Sequence, residues 1–418
     1  MKVAIIGAGF TGLAAAWDAL KNGFDVEVFE LNSYPGGLAA GIKDKSWDWS
    51  IEHHYHHIFQ TDSDAINLLS EMGLKDNLFF KKVNTRSYYD GQAWSVDSPI
   101  SLLLFSPLSF LSRIRVGVVV ALMKIIPNGR FLEKYSAEEF LKKTMGNDAW
   151  NILWKPLFVG KFGKYSSEIN MAWFWARIAT RSQKLGYYQG GFLKLAEDMT
   201  EALKNKGVKF HFKKSVKKIV KHDGKIKIVV EKNNQLFFDK VIATIPSTVL
   251  SKMMKMDKND LSALSARTLL LELNQPFFKD ETYWLSIHQN DWPFLAAVEH
   301  TNLADKNNYG KKHLLYVGKY LDKKDRFYKL GKEELIKIYK PFLNKLSPGF
   351  SKNISRSWVF DADFAQPLVF KNHSKNLPNI ETSVKGVFWI SMQHVYPWDR
   401  GINYAIRFGR SSINYLKE

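Results

Sequence analysis

The residues with the clearest chemical meaning come first in the chain. Gly7-Ala8-Gly9-Phe10-Thr11-Gly12 follows the apolar run Val3 to Ile6 and opens a helix-forming stretch, Leu13 to Leu20, and Glu30 closes the next apolar run, Val26 to Phe29. Strand, turn, helix and strand in this order make one βαβ unit. In such a unit Gly7 permits the tight turn, Gly9 lets the backbone approach a pyrophosphate at the positive end of the helix, and Gly12 lets helix and strand pack closely. Glu30 can accept hydrogen bonds from both hydroxyls of a ribose, and its charge repels a 2′-phosphate. The spacing therefore predicts a dinucleotide site, with Phe10, Thr11 and Leu31 in the same turn region, that disfavours NADP. NAD and FAD both satisfy this unit.

The residues that follow separate the two. Pro35-Gly36-Gly37-Leu38 comes a few residues after Glu30. Here the sequence resembles the superfamily of FAD proteins that contains amine oxidases, phytoene desaturases, protoporphyrinogen oxidases and UDP-galactopyranose mutases, in which a Gly-Gly pair carries the chain over the pyrophosphate toward the flavin. Three further stretches are similar to that superfamily: Gly190-Gly191-Phe192, where the chain returns to the cofactor domain; Ser215-Val216, where a valine backbone holds adenine; and Phe238 to Pro246, its closing strand. Near the end, Trp398-Asp399-Arg400-Gly401-Ile402-Asn403 resembles the start of the superfamily's last helix, whose N–H groups face the flavin pyrimidine edge. A helix N-terminus there stabilises the negative charge of reduced flavin. The usual Gly-Asp before that helix is replaced by Ser391-Met392-Gln393. His57-Ile58-Phe59 looks like the His-Ile-Phe of UDP-galactopyranose mutases, where the histidine lies against the flavin.

The resemblance implies a FAD-dependent oxidoreductase that moves a hydride from an organic substrate to flavin. The alternative is a mutase-like isomerase that acts on a sugar nucleotide with reduced flavin. His57, His394 and Tyr396 are the candidate catalytic residues, the latter two because they precede the flavin-facing helix. Lys155, Lys161 and Arg177, from stretches rich in aromatics and cations, and Gln366 are candidate substrate contacts, although aromatic spacing of this kind usually marks core. The run His53-His54-Tyr55-His56-His57 lacks the helical spacing of a strong zinc pattern, so no metal is expected.

These groups need a frame to position them. A chain of 418 residues favours two interlocked domains, and the absence of cysteine excludes disulfides, iron–sulfur clusters and a thiol nucleophile. The pattern predicts an α/β fold with a discontinuous Rossmann-type FAD domain from residues 1–60, 186–250 and 386–418. A mixed α+β substrate domain from 61–185 and 251–385 completes it. Residues 60–185 read as mainly helical, with a helix over Ser63 to Met72, a hairpin at Tyr88 to Trp94 and a capped helix after Ser136. The net charge of +19 is spread in short lysine-rich runs, with no motif of a nucleic-acid binder. The first residues lead straight into the glycine turn without the regions of a secretory signal, which predicts a cytoplasmic protein. Ile100 to Ile126 is strongly apolar but interrupted by charge and proline, which rules out a transmembrane helix. It is either a buried helical pair or a surface that rests on lipid, and the first reading is favoured.

Overall fold

The computed structural model describes residues 1–231, 234–254 and 262–417. Five short strands form a parallel sheet in the order 209–211, 25–29, 2–6, 240–243 and 387–389. Strands Lys2–Ile6 and Asp25–Phe29 are buried along almost their whole length, as strands covered on both faces must be. The crossover between them is the helix Phe10–Lys21, whose alanine-rich middle is buried against the sheet. This is the predicted βαβ unit, and the sheet around it draws strands from three separated stretches of sequence.

Close packing, more than propensity, fixes the ends of this region. A Cβ on Gly12 would sit 2.0 Å from the Gly7 carbonyl oxygen, so only glycine allows the turn to close over the helix. The late helix Ile402–Ser411 lies on the first one with equal economy of space: a Cβ on Gly409 would come within 2.2 Å of the Thr11 carbonyl oxygen. The Asn403 side chain accepts a hydrogen bond from Ala65 N–H at 3.0 Å, tying the same helix to the helix Ser63–Glu71.

A second, seven-stranded sheet runs in the order 354–367, 263–273, 313–321, 296–299, 282–287, 84–89 and 92–94. Its pairs are antiparallel except for 282–287 beside 84–89, which is parallel. The predicted hairpin around Asp90-Gly91 is present as the strands Asn84–Tyr89 and Gln92–Trp94. Residues 60–185 are mainly helical as predicted, while this hairpin and the strand Leu78–Lys82, which was not predicted, join sheets with strands far away in sequence. The helices gather between residues 99 and 180 around a core that includes Trp150, Phe158, Trp173 and Trp175. Ser136 caps one of them as predicted, its Oγ accepting from Glu139 N–H at 3.2 Å.

The apolar stretch after residue 99 departs from its favoured reading. It forms the helices Pro99–Leu103 and Phe110–Ile125, of which Leu102, Val116, Met123 and the linking Phe105 and Leu108 are buried in the core, with Val119, Val120 and Ile126 partly buried against it. The opposite flank faces outward. Among the described residues no helix is long and apolar enough to cross a membrane.

Candidate active site

Two helix N-termini prepare the cofactor end of the site. The helices Phe10–Lys21 and Ile402–Ser411 begin at Gly9 and Gly401, and neither has a side-chain cap on its first-turn N–H groups. Such amides carry partial positive charge and need acceptors. A Cβ placed on Gly9 would meet only the Gly37 backbone, 3.7 Å to its Cα, so the space in front of the first helix is left for a ligand rather than filled by protein. Glu30 lies at the end of its strand and receives Ala8 N–H at 2.8 Å and Asn32 N–H at 2.9 Å, one on each oxygen. Each oxygen keeps a further lone pair for a ribose hydroxyl. His57 adds an unsatisfied group: its Nδ1 is buried without a partner. Burial first, and then His56, Arg181 and Arg177, push the His57 ring down to about 3, so it is neutral. These features fit a flavin dinucleotide.

Beside them opens a cleft whose lining includes Leu38, His54, Tyr55 and His56 from the early chain, Thr268, Lys319 and Tyr320 from the seven-stranded sheet, and Arg400 from the approach to the late helix. The loop between Glu52 and Ile58 brings the histidines here, and each is pinned. His53 packs on the Phe360 ring at 4.5 Å, and His54 Nδ1 lies 2.8 Å from Thr268 Oγ1. His56 Nδ1 lies 2.6 Å from the His54 carbonyl oxygen, which can only accept, so the proton sits on Nδ1 and Nε2 is the bare nitrogen. Burial lowers His54 to about 3 and His56 to about 4, leaving both neutral near pH 7. Among the described residues no group of three or more histidine or carboxylate side chains is arranged to hold a metal.

Arg400, at the cleft wall, belongs to a cationic cluster around Asp399. Asp399 receives Arg177 Nη1 and Trp173 Nε1, with Lys161 Nζ at 3.8 Å and Arg400 Nη1 at 3.9 Å. Burial alone would raise the Asp399 carboxyl, but Lys161, Arg177 and Arg400 outweigh it and hold it well below the usual carboxylate range. Lys161 feels the opposite balance. Burial and then Arg177 push its ammonium well below the ordinary lysine range against the pull of Asp399. Arg400 donates to Gln366 Oε1 and to Tyr320 Oη, and its guanidinium lies 5.0 Å from the Tyr320 ring centre. Three cations thus share one carboxylate at the cleft edge.

The structure gathers Lys161, Arg177, Gln366 and Arg400 from the sequence-predicted contacts, and leaves others apart. Lys155 is exposed on the surface. His394 is turned inward by a short helical turn: it receives Ser391 N–H on Nδ1 and packs edge-on to Trp389 at 4.8 Å, away from the cleft lining. Tyr396 donates to Glu133 at 2.8 Å and receives Asn170 Nδ2 at 3.0 Å, which ties the late loop to the helical layer. Val216 and Ile58 are buried, Leu31 is exposed, and Trp398 stacks on Tyr404 at 5.5 Å. Sequence reasoning did not single out Tyr55, His56, Thr268, Lys319, Tyr320 or Asp399 as site residues. The available signals were His56 in the histidine run and Asp399 between Trp398 and Arg400.

The chain matches the family model described as flavin containing amine oxidoreductase over residues 10–372. It belongs to the flavin-containing amine oxidoreductase family. FAD is the cofactor of this family member, and the site just described supplies the groups such a cofactor needs. Among curated relatives, the chain is 28% identical over 180 residues to the chloroplastic/chromoplastic zeta-carotene desaturase of Solanum lycopersicum, covering 38% of this chain and 30% of the relative. It is 24% identical over 174 residues to the mitochondrial protoporphyrinogen oxidase of Nicotiana tabacum, covering 41% of this chain and 34% of the relative. The matches thus span about a third of those relatives' length. The fold is also that of a reduced UDP-galactopyranose mutase, with a TM-score of 0.76, 16% identity, and coverage of 100% of this chain and 95% of the other.

Proposed function

We propose that this protein is a FAD-dependent oxidoreductase of the amine oxidase and desaturase type, which takes a hydride from a small organic substrate held in the cleft. The observation that carries the reading is His56, a neutral imidazole with a bare Nε2 in a cleft walled by Tyr55, Tyr320 and aliphatic side chains. FAD would be held through the amides of Gly9, Phe10, Thr11 and Gly12, the Glu30 carboxylate beside Leu31, the Gly36-Gly37-Leu38 turn, the Val216 backbone, His57-Ile58 and the segment Trp398 to Asn403. When bound, it supplies the hydride acceptor. The residues 1–60, 186–250 and 386–418 serve as the cofactor domain, and 61–185 with 251–385 as the substrate domain.

As a hydride leaves the substrate carbon, a proton must leave the attached nitrogen or neighbouring carbon, and His56 Nε2 is the group to take it. Tyr55 stays protonated, because burial and then Tyr320 raise its phenol well above the ordinary range, so it can donate a hydrogen bond but not act as a base. Asp399 holds the three cations in place and keeps water-seeking charge at the far edge of the cleft.

A second reading, isomerisation of a sugar nucleotide with reduced flavin, is favoured by one observation: Lys161, Arg177 and Arg400 outnumber Asp399 and suit a diphosphate. Anaerobic incubation of the purified yellow protein with amines, partly saturated polyenes and sugar nucleotides separates the two. An oxidoreductase substrate bleaches the flavin without added reductant, and His56→Ala slows that bleaching roughly 100-fold or more with flavin content unchanged. Turnover of a sugar nucleotide only after dithionite, with no net electron transfer, rejects the first reading in favour of the second.

A further inference from the structure

The outward flank of residues 99–125 is the feature of the molecule that the cofactor and cleft leave unexplained. Leu111, Val118, Leu122 and Ile125 recur at three-, four- and seven-residue spacing along the helix Phe110–Ile125 and so share one face. They are 68%, 53%, 53% and 75% exposed. The segment just before adds two more exposed apolar side chains, Ile100 and Leu104, 72% and 71% exposed. Arg113 fastens the two helices by donating to the Leu103 and Leu108 carbonyls. A continuous apolar face of this kind marks a partner, because single exposed apolar residues are common and rows of them are not.

Charge says which partner. From residue 99 to residue 132 the sequence carries Arg113, Arg115, Lys124 and Arg130 and no aspartate or glutamate. At 100° per residue, Arg115 lies next to the stripe on one side, and on the other the exposed Ile114 and Phe110 widen it before Lys124 and Arg113 follow. Among the described residues Arg113 and Arg115 hydrogen-bond only to backbone carbonyls, and no ion pair includes either of them, Lys124 or Arg130. An apolar stripe edged by cations suits a bilayer with anionic headgroups, where the side chains enter the acyl boundary and the cations meet phosphates. A second copy of the chain is a poorer match, since a two-fold contact would set these cations against their own like charges. No described helix is long enough to span, so the contact is in the plane of the surface.

We propose that helices 99–103 and 110–125 form a docking face for an anionic lipid bilayer. The test is flotation of the flavin-loaded protein with vesicles of phosphatidylcholine alone or mixed with phosphatidylglycerol, at low and high salt. The expected result is binding to the mixed vesicles that weakens with salt, falls about fivefold or more in Lys124→Glu, and falls at least about tenfold in Leu111→Glu/Leu122→Glu. Flavin content and thermal unfolding check that the variants are folded, and if the double variant is not, Lys124→Glu decides alone. Absence of flotation with the mixed vesicles, or flotation that neither variant weakens, overturns the proposal. So does a concentration-dependent dimer in size-exclusion chromatography that the double variant dissolves while wild type fails to float, which would assign the face to a second copy.

Discussion

Two acids in this protein are withdrawn from water in opposite ways. Asp399 sits among Lys161, Arg177 and Arg400 at the edge of the cleft. Glu52 is fully buried and has no cation: Tyr187 Oη donates to both its oxygens at 3.0 Å and Phe192 N–H donates to Oε1 at 2.7 Å. Among the described residues no ion pair includes Glu52. Burial raises Glu52 to about 7, with the Phe192 amide and Tyr187 pulling it partly back, whereas Asp399 is held well below its ordinary value. The comparison separates two uses of a buried carboxylate. Ringed by cations, it stays charged and fixes their positions beside a ligand; ringed by phenols and an amide, it stands near neutrality and knits a strand to a distant helix.

The sharpest way to break this distinction is Asp399→Asn. It leaves three cations sharing no negative charge, and stability at pH 7 falls by about 3 kcal/mol, discounted because the side chain is 22% exposed. Urea unfolding of the flavin-free protein measures the loss, and an unchanged midpoint would show that the cations do not depend on Asp399. The pH signature follows from the depressed value. Asp399 contributes stability that is present above its unfolded value of 3.8 and lost as pH falls through its lower folded value.

Glu52 has the reverse sign. A carboxyl raised from 4.5 to about 7 binds its proton more tightly in the folded state, so wild-type stability declines as pH rises from about 4.5 through 7 and levels above. Glu52→Gln keeps the shape without the charge, and about 2 kcal/mol of that decline should vanish between pH 5 and 8. Unfolding curves of the two proteins that stay parallel over this range would reject the raised value. The smallest expected change is Tyr187→Phe, which removes one donor from Glu52 and costs about 1 kcal/mol at pH 7. It also moves the decline to higher pH, because a lost donor leaves the charged form less favoured. A wild-type pH profile in that variant would show that the phenol does not sense the carboxylate.

What was legible in the sequence follows the reach of the signal. The Gly7 to Gly12 turn and Glu30 could be read because one βαβ unit is local, and each residue's role is set by neighbours within one strand and one helix. The directions of His394 and Tyr396 were not legible for the complementary reason. Adjacency to the late helix says nothing about direction, and the turn at Ser391 sends one side chain under Trp389 and the other toward Glu133. Asp399 stood in plain view between Trp398 and Arg400, but its meaning depends on Arg177, 222 residues away. Tyr320 was lost by a shorter error. The apolar run Leu314 to Val317 reads as a complete strand, whereas pairing with 263–273 carries it on to Leu321 and delivers Lys319 and Tyr320 to the cleft. The apolar stretch after residue 99 shows the limit of composition: it predicts helices, and only packing decides that one flank remains uncovered.

The contact of Gly409 with Thr11 has a consequence for how the protein is made. The first helix leaves the ribosome nearly 400 residues before the helix that seats on it. Strand 387–389 likewise joins the sheet only after its neighbours exist. The nascent chain therefore carries an open sheet edge and an uncovered alanine-rich helix while the intervening residues are made, and such surfaces are the ones chaperones hold. FAD loading becomes a late event by the same logic, since a cofactor arriving earlier meets the pyrophosphate turn without the segment that completes the flavin end.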